Sequence, residues 1–247
     1  MNPIKLVAHR GHQTQYPENT LLSLAEAIHA GARYVETDIQ LSRDQVPVLY
    51  HDNHMRRISG VKGAIHDYSF AELITIPAYE PKRFGDKFLD LKITPLADLV
   101  RLLVAHPQVH AYIEIKRCAI QQQGIEVLYR RVTDLLMPVV EQCTLISFSI
   151  PFIEYACQTA WPSLGVVVER WRDIECTPIQ AIKPDYIFCD YKQLPRTGTI
   201  SLPHTRLVIY EIDKAATAIK LIERGANMIE TFAFAELQQA LDKRLHA

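Results

Sequence analysis

Short apolar runs rich in β-branched residues recur along the whole chain. They are continuous rather than alternating, which is typical of parallel strands that helices cover. Between them lie stretches with apolar residues at helical spacing, as in residues 215–224, which Gly225 follows as a stop. The pattern therefore predicts strands that alternate with helices. The eight predicted strands are residues 4–8, 34–39, 111–115, 144–147, 164–168, 186–189, 207–212 and 228–231.

Eight strand–helix repeats in 247 residues are the number and length expected of a (β/α)₈ barrel of the TIM type. A doubly wound open sheet has the same local pattern, so periodicity alone leaves both folds open. We predict the barrel, as a single domain over residues 1–247. The clearest helices are predicted over residues 20–30, 94–105, 123–136, 150–160 and 215–224.

The second and third predicted strands are separated by more chain than one helix needs. The excess lies at about residues 52–93, which are rich in glycine, proline and charge. This composition predicts an insertion on the barrel rather than another barrel unit. Just before it, residues 46–50 are predicted to form a further short strand, joined to the second strand through residues 42–45 as in a hairpin.

Composition and charge narrow the class of protein. The chain is 48% hydrophobic and 22% charged, as in ordinary globular proteins, and its formal charge of -1 gives no basic field for nucleic acid. The longest run without an acidic or basic residue, 155–168, is too short to span a membrane. With no signal-peptide pattern at the N-terminus, we predict a cytoplasmic protein. The five cysteines are widely spaced and odd in number, which favours reduced thiols.

The chemistry of a β/α barrel lies where its strands end, so polar residues at those positions are candidates for function. The first strand ends in His9, Arg10 and Gly11. A histidine can transfer a proton, an arginine can bind phosphate, and a following glycine allows a tight turn. A histidine and an arginine with a purely structural role would give the same motif, so these residues alone do not establish a function.

Glu36 and Asp38 lie two residues apart on the second strand and therefore point to the same face. Two carboxylates inside an apolar run repel each other unless a cation lies between them. A hard divalent ion is one answer, because Mg²⁺ and Ca²⁺ prefer carboxylate oxygens. The other is that one carboxylate pairs with Arg33 or Lys116 and no metal binds.

The third strand places Glu114 and Lys116 on one face in the same way, adding a third carboxylate and a cation for a phosphate oxygen. If the predicted hairpin folds back about Asp44, His51 comes close to the level of Asp38. His51 would then share the mouth of the barrel with His9. Two histidines beside a metal-bound anion suit phosphodiester cleavage, because one removes a proton and the other protonates the leaving alcohol.

The candidate residues belong to a series of short motifs along the chain. The motifs are His9-Arg10-Gly11, Pro17-Glu18-Asn19-Thr20, Glu36-Thr37-Asp38, Pro47-Val48, His51-Asp52, Glu114-Ile115-Lys116, Ser147-Phe148 and Arg224-Gly225-Ala226. In this order and spacing they resemble the glycerophosphodiester phosphodiesterases. The resemblance extends over nearly the whole chain and is densest up to Lys116.

The resemblance implies a β/α barrel with a small insertion after His51-Asp52. It also implies hydrolysis of a glycerophosphodiester to glycerol 3-phosphate and an alcohol, through attack on phosphorus by the glycerol 2-hydroxyl or by water. His9 and His51 would be the acid/base pair. The implied cofactor is one divalent ion, Mg²⁺ or Ca²⁺, with Mn²⁺ as a third candidate. The other implied roles are metal binding for Glu36, Asp38 and Glu114, phosphate binding for Arg10 and Lys116, and either orientation of Arg10 or binding of the substrate's hydroxyl side for Glu18.

The C-terminal third departs from the family pattern. The chain has Tyr210-Glu211-Ile212-Asp213 where members usually have Trp-Thr-Val-Asn, and Thr231-Phe232-Ala233-Phe234 where they usually have Thr-Asp-x-Pro. Phe232 and Phe234 are the one hint of an alternative, a lysophospholipid phosphodiesterase with a channel for an acyl chain. A further alternative is a catalytically weakened barrel that binds a phosphorylated metabolite. The sequence leaves the oligomeric state open.

Overall fold

The computed structural model describes residues 4–245, and the strands within them form one sheet. Eight of its nine strands are parallel, and the first of these pairs with both the second and the last, which closes the sheet into a barrel. The predicted (β/α)₈ barrel is therefore confirmed, and the open sheet is excluded. The strands are β1 (Lys5–His9), β2 (Tyr34–Leu41), β3 (Pro47–Leu49), β4 (His110–Ile115), β5 (Cys143–Ser147), β6 (Leu164–Val168), β7 (Tyr186–Asp190), β8 (Arg206–Tyr210) and β9 (Met228–Thr231).

Helices connect the parallel strands and cover the barrel. Their apolar faces pack on the outward side chains of the strands in one large buried core. None of the helices within residues 4–245 is long and apolar enough to cross a membrane. The α-helices are α1 (Leu21–His29), α2 (Arg56–Ser59), α3 (Phe70–Leu73), α4 (Pro81–Phe84), α5 (Leu96–Ala105), α6 (Arg117–Gln123), α7 (Ile125–Leu136), α8 (Ile150–Gln158), α9 (Thr177–Ile182), α10 (Ala215–Arg224) and α11 (Phe234–Leu245), and the 3₁₀ helices are Ile65–Asp67, Met137–Gln142, Trp171–Glu175 and Tyr191–Gln193.

The strand β3 is the one antiparallel partner in the described sheet and lies outside the ring. It pairs with the end of β2 as a hairpin, with Ile39 opposite Leu49. The backbone N–H of Tyr50 then donates to the carbonyl of Asp38 at 2.9 Å. This pairing carries the chain from the outside of the barrel back to its mouth, where His51 follows.

Residues 52–93 contain three short α-helices and one 3₁₀ helix, and they have their own apolar cluster. Because this cluster includes Val48 and Tyr50, the segment packs against the hairpin. Its description as an insertion within a single domain remains a prediction. The buried members of the cluster are Val48, Tyr50, Met55, Ile58, Ile65, Leu73, Ala78 and Ile93.

The interior of the barrel is apolar below and polar at the mouth. A buried cluster that includes Val7, Tyr112, Val208 and Met228 fills the lower part. Because side chains alternate along a strand, the residues two positions further on point inward one level higher. Those residues are His9, Glu114, Tyr210 and Glu230 on the same four strands, and Glu36 at the level of His9 on β2.

Candidate active site

An open cavity of about 520 Å³ lies at the carboxyl end of the barrel strands. Apolar side chains of β5 to β8 line one side, and charged side chains of β1, β2 and β4 line the other. This is the face on which barrel enzymes carry their chemistry. The lining residues are His9, Arg10, Glu36, His51, Glu114, Lys116, Ile146, Phe148, Val167, Phe188, Tyr210, Glu211 and Glu230.

The turn after β1 places His9 and Arg10 at the mouth. Arg10 has a φ of 55° and Gly11 a φ of 86°, so the chain reverses through two left-handed residues. A Cβ on Gly11 would lie 2.5 Å from the backbone carbon of Ser23, so only glycine fits at this crossing. The backbone N–H of Arg10 donates to the carbonyl of Glu36, which ties this turn to β2.

Asp38 is surrounded by three donor side chains. Arg10 Nε lies 3.0 Å from its Oδ2, Lys116 Nζ lies 3.1 Å from its Oδ1, and Asn19 Nδ2 donates to Oδ2 at 2.8 Å. Asn19 also accepts the hydroxyl proton of Thr37, which fixes its amide orientation. Burial alone would raise the pKa of Asp38, but Lys116 and Arg10 outweigh it and hold the pKa well below its ordinary value.

Glu36 lacks such a cation. No Lys or Arg side chain within residues 4–245 makes an ion pair with it, and its Oε1 is buried without a hydrogen-bond partner. Burial and the neighbouring Asp38 raise the pKa of Glu36 well above its ordinary value. Of the two cations considered as partners without a metal, Lys116 pairs with Asp38 and Arg33 does not. The negative charge of Glu36 has no Lys or Arg partner among the residues described.

Three carboxylates could hold a metal ion. Glu36, Asp38 and Glu114 are all buried, and each offers an oxygen within 4.8 Å of the others. Lys116 donates to Glu114 at 2.8 Å and lies 3.1 Å from Asp38, so this cation contacts two of the three carboxylates. An all-oxygen set with an unpartnered carboxylate oxygen fits a hard divalent ion such as Mg²⁺ or Ca²⁺.

His9 is buried among charged groups. Its Nε2 lies 3.5 Å from Glu36 and its Nδ1 lies 3.5 Å from Glu211. Burial and the adjacent Arg10 lower the pKa of His9 well below its ordinary value, so the ring is neutral near pH 7. This is the form that accepts a proton.

His51 is half-buried and held by a chain of charged groups. Its Nδ1 lies 2.9 Å from Asp52 Oδ1, and Arg57 donates to Asp52 at 2.7 and 2.6 Å. The same guanidinium donates to both oxygens of Glu18, which in turn accepts from Arg10 at 3.1 Å. Arg57 therefore connects Asp52, the partner of His51, with Glu18, the partner of Arg10. Arg57 is not among the site residues predicted from the sequence.

Each site residue predicted from the sequence lines or borders this mouth. All of them line the cavity except Glu18 and Asp38, which lie behind Arg10 and contact it. Sequence reasoning missed Glu230, although it is an acid inside an apolar strand, the same signal that marked Glu36. Glu230 is 2% exposed and lines the cavity.

The two phenylalanines of the departing C-terminal segment do not line the cavity. The ring of Phe232 stacks on that of His9, with centroids 4.6 Å apart, and Phe234 is buried in the outer core at the start of α11. The sequence hint of an acyl channel is therefore not realised by these rings.

The sequence profile described as the "Glycerophosphoryl diester phosphodiesterase family" matches residues 9–146 of this chain. A glycerophosphodiester phosphodiesterase of Bacillus altitudinis is 32% identical over 122 residues, which are 49% of each chain. Human glycerophosphodiester phosphodiesterase 1 is 35% identical over 103 residues, which are 42% of this chain and 31% of that relative. The chain thus spans about half the length or less of these curated relatives.

Solved structures share the fold along nearly the whole chain. A phosphodiesterase of Oleispira antarctica, solved in complex with the product sn-glycerol-3-phosphate, superposes with a TM-score of 0.82 at 22% identity and covers 96% of each chain. A glycerophosphodiester phosphodiesterase of Thermotoga maritima gives 0.70 at 19% identity, with 99% of each chain covered. The fold agrees throughout, and the profile match covers more than half of the chain, including both histidines and all three carboxylates of the predicted site. The chain therefore belongs to the glycerophosphoryl diester phosphodiesterase family.

Proposed function

We propose that this protein hydrolyses glycerophosphodiesters to glycerol 3-phosphate and an alcohol, with a divalent metal ion and a pair of histidines. The observation that carries the proposal is that His9 and His51 line one cavity together with Glu36 and Glu114, whose oxygens lie within 4.8 Å of an oxygen of Asp38. The resemblance of the whole chain to structures that include a complex with sn-glycerol-3-phosphate supports the substrate class.

The two histidines take the two proton transfers. His9 is neutral near pH 7 and acts as the base that removes the proton of the attacking hydroxyl. His51 then protonates the oxygen of the leaving alcohol. Asp52 Oδ1 lies 2.9 Å from Nδ1 of His51 and holds the ring in this orientation. The other ring nitrogen, Nε2, points away from Asp52. The attacking oxygen belongs either to a water molecule, which gives glycerol 3-phosphate directly, or to the glycerol 2-hydroxyl. In the second route the first product is a cyclic 1,2-phosphate, which water then opens to glycerol 3-phosphate.

Arg10 and Lys116 bind the phosphate oxygens. Arg10 is buried and Lys116 is partly buried, and their carboxylate neighbours keep the pKa of each above its ordinary value despite burial, so both stay charged. Glu18 orients Arg10, because its Oε1 lies 3.1 Å from the guanidinium while Arg57 and Gln13 donate to the same carboxylate and hold it in place. Cations placed at the equatorial oxygens stabilise the charge of the transition state.

Glu36, Asp38 and Glu114 would hold the metal ion. When bound, Mg²⁺ or Ca²⁺ would polarise a phosphate oxygen and neutralise the carboxylates, with Mn²⁺ as a third candidate.

We propose the cytoplasm as the location of the protein.

Histidine variants test the proposal. His9→Ala and His51→Ala are each expected to lower kcat for glycerophosphocholine at least about 100-fold, the usual scale of general acid/base catalysis. Both variants should keep the far-UV spectrum of the wild type. His54→Ala is a matched control, because His54 is exposed three residues beyond His51. Substantial activity in either site variant would contradict the proposed roles.

A further inference from the structure

Glu230 is a buried carboxylate for which the proposed mechanism has no use. It points inward from β9, is 2% exposed, and lines the cavity floor beside Glu36 and His9. Within residues 4–245 no Lys or Arg side chain makes an ion pair with it, and its Oε1 has no hydrogen-bond partner. An ionised carboxylate left in this state is costly, so a cation or a proton must compensate it.

The cations of the site are already engaged elsewhere. Arg10 contacts Glu18 and Asp38, and Lys116 contacts Asp38 and Glu114. Glu36 and Glu230 are thus the two buried carboxylates of the mouth that share the lack of a Lys or Arg partner among the residues described. Each also has an unpartnered Oε1.

Glu36 belongs to two groups of ligand atoms. In the first, its oxygen lies within 4.8 Å of oxygens of Asp38 and Glu114. In the second, the same limit joins Glu36, His9 and Glu230. The two groups have only Glu36 in common, and no such group joins Glu230 with Asp38 or Glu114, so Glu230 adds a ligand position that the first group does not include.

We infer that Glu230 and Glu36 bind a second divalent cation, separate from the one held by Asp38 and Glu114, with Glu36 as the carboxylate common to both. The ion would be Mg²⁺, Mn²⁺ or Ca²⁺, because carboxylate oxygens suit these hard ions. His9 faces this position and stays free for proton transfer, since Mg²⁺ is commonly held by one or two carboxylates together with water or phosphate oxygens. The inference rests on the proposed metal-dependent function and extends it from one ion to two.

Counting bound Mn²⁺ tests the inference. Metal-free protein is titrated with Mn²⁺ alone, and the bound ion is followed by calorimetry and by the electron paramagnetic resonance of the free ion. Wild type is expected to bind two Mn²⁺ per chain, and Glu230→Gln one. Glu114→Gln should also bind one. Glu211→Gln is the matched control, since it removes a mouth carboxylate outside both groups, and it should still bind two.

The resonance of the bound ions gives a second readout. Two Mn²⁺ ions that share a carboxylate broaden each other's signals, so broadening is expected in wild type and absent in Glu230→Gln. If Glu230→Gln does not fold, Glu230→Asp takes its place. It keeps the charge on a shorter side chain, and it should bind two ions with the second at least about tenfold weaker, since changes to the outer partners of metal ligands already cost this much affinity.

Three results would overturn the inference, and they separate it from the proposed function. One ion in wild type, with unchanged affinity in Glu230→Gln, would mean that a proton compensates Glu230 while the single-metal function stands. One ion whose affinity falls in Glu230→Gln would make Glu230 a ligand of that same ion. No bound Mn²⁺ at all would overturn the second site and the proposed metal dependence together.

Discussion

The ring of His9 stacks face to face on the ring of Phe232, with centroids 4.6 Å apart and an interplanar angle of 10°. The guanidinium of Arg10 lies over the same phenyl ring, 5.8 Å from its centre. Phe232 occupies the position where the family pattern has an acid. In this chain the departure therefore supplies an apolar support for the two side chains that we propose as the base and as a phosphate-binding cation.

Removing this support should slow the reaction more than it weakens binding. An aromatic pair contributes about 1 kcal/mol, so Phe232→Ala is expected to lower kcat by up to about tenfold with a small change in KM. Phe232→Tyr keeps the stacked ring and should retain most of the activity. Steady-state kinetics of both variants check this. Equal kcat values for Phe232→Ala and wild type would show that the stack does not position His9.

Arg57 is expected to act as a positioning residue. It makes two hydrogen bonds to Glu18 and two to Asp52, a geometry that lysine cannot reproduce. Arg57→Lys should therefore lower kcat by about 10-fold to 100-fold, the range seen for outer partners of a site. Arg56→Lys, at the exposed neighbouring position, is the control and should have little effect. A change confined to Tm, with kcat intact, would assign Arg57 a purely structural role.

Alanine substitutions at Gly11 and Gly31 distinguish the effect of backbone strain from the effect of steric crowding. Both have positive φ, 86° and 100°, but a Cβ at Gly11 would meet Ser23 at 2.5 Å while one at Gly31 meets nothing within 4 Å. Gly31→Ala should cost about 1 kcal/mol of unfolding free energy. Gly11→Ala adds crowding and should cost roughly 2 to 4 kcal/mol. Urea unfolding measures both losses of free energy. Equal losses would contradict the close approach of the segments around Gly11 and Ser23.

His110 predicts how stability depends on pH. It lies at the first residue of β4, at the end of the barrel opposite the site, and burial lowers its pKa to about 4, with Arg206 adding to the effect. Between its unfolded pKa of about 6.5 and this value, the unfolded chain binds the extra proton, so stability falls as pH falls. His110→Gln keeps a partner for Thr144 and removes the titration.

From pH 7 to pH 5, wild type should lose about 2 kcal/mol more unfolding free energy than His110→Gln. Urea unfolding at the two pH values checks the difference. The same loss in both proteins would mean that the pKa of His110 is not lowered in the folded state.

The fold was predictable because its signals are local and repeated. Continuous apolar strands alternate with helices such as α10, whose bounds agree with the predicted residues 215–224. Barrel closure was not local information, since it depends on the pairing of β1 with β9 across more than 200 residues of chain. The count and spacing of the repeats, strengthened by the resemblance, made the barrel the better prediction.

The site was predictable where several acids or bases fall at the ends of neighbouring strands. Glu36, Asp38, Glu114 and Lys116 meet because β2 and β4 pair in register, with Asp38 opposite Glu114. The network through Arg57 could not be read in this way, because α2 reaches Glu18 only through the tertiary packing of residues 52–93. The same holds for Phe232, since a ring in a sequence does not reveal that it will lie flat on His9.

The most direct test of the central claim is metal-dependent release of glycerol 3-phosphate by the whole protein. Chelator-treated protein is assayed with glycerophosphocholine and glycerophosphoethanolamine, alone and after separate addition of Mg²⁺, Ca²⁺ and Mn²⁺. The proposed function predicts no turnover without metal and recovery with at least one of these ions. Turnover that persists at full rate in chelator, or folded protein that is inactive on both substrates with every ion, would contradict it.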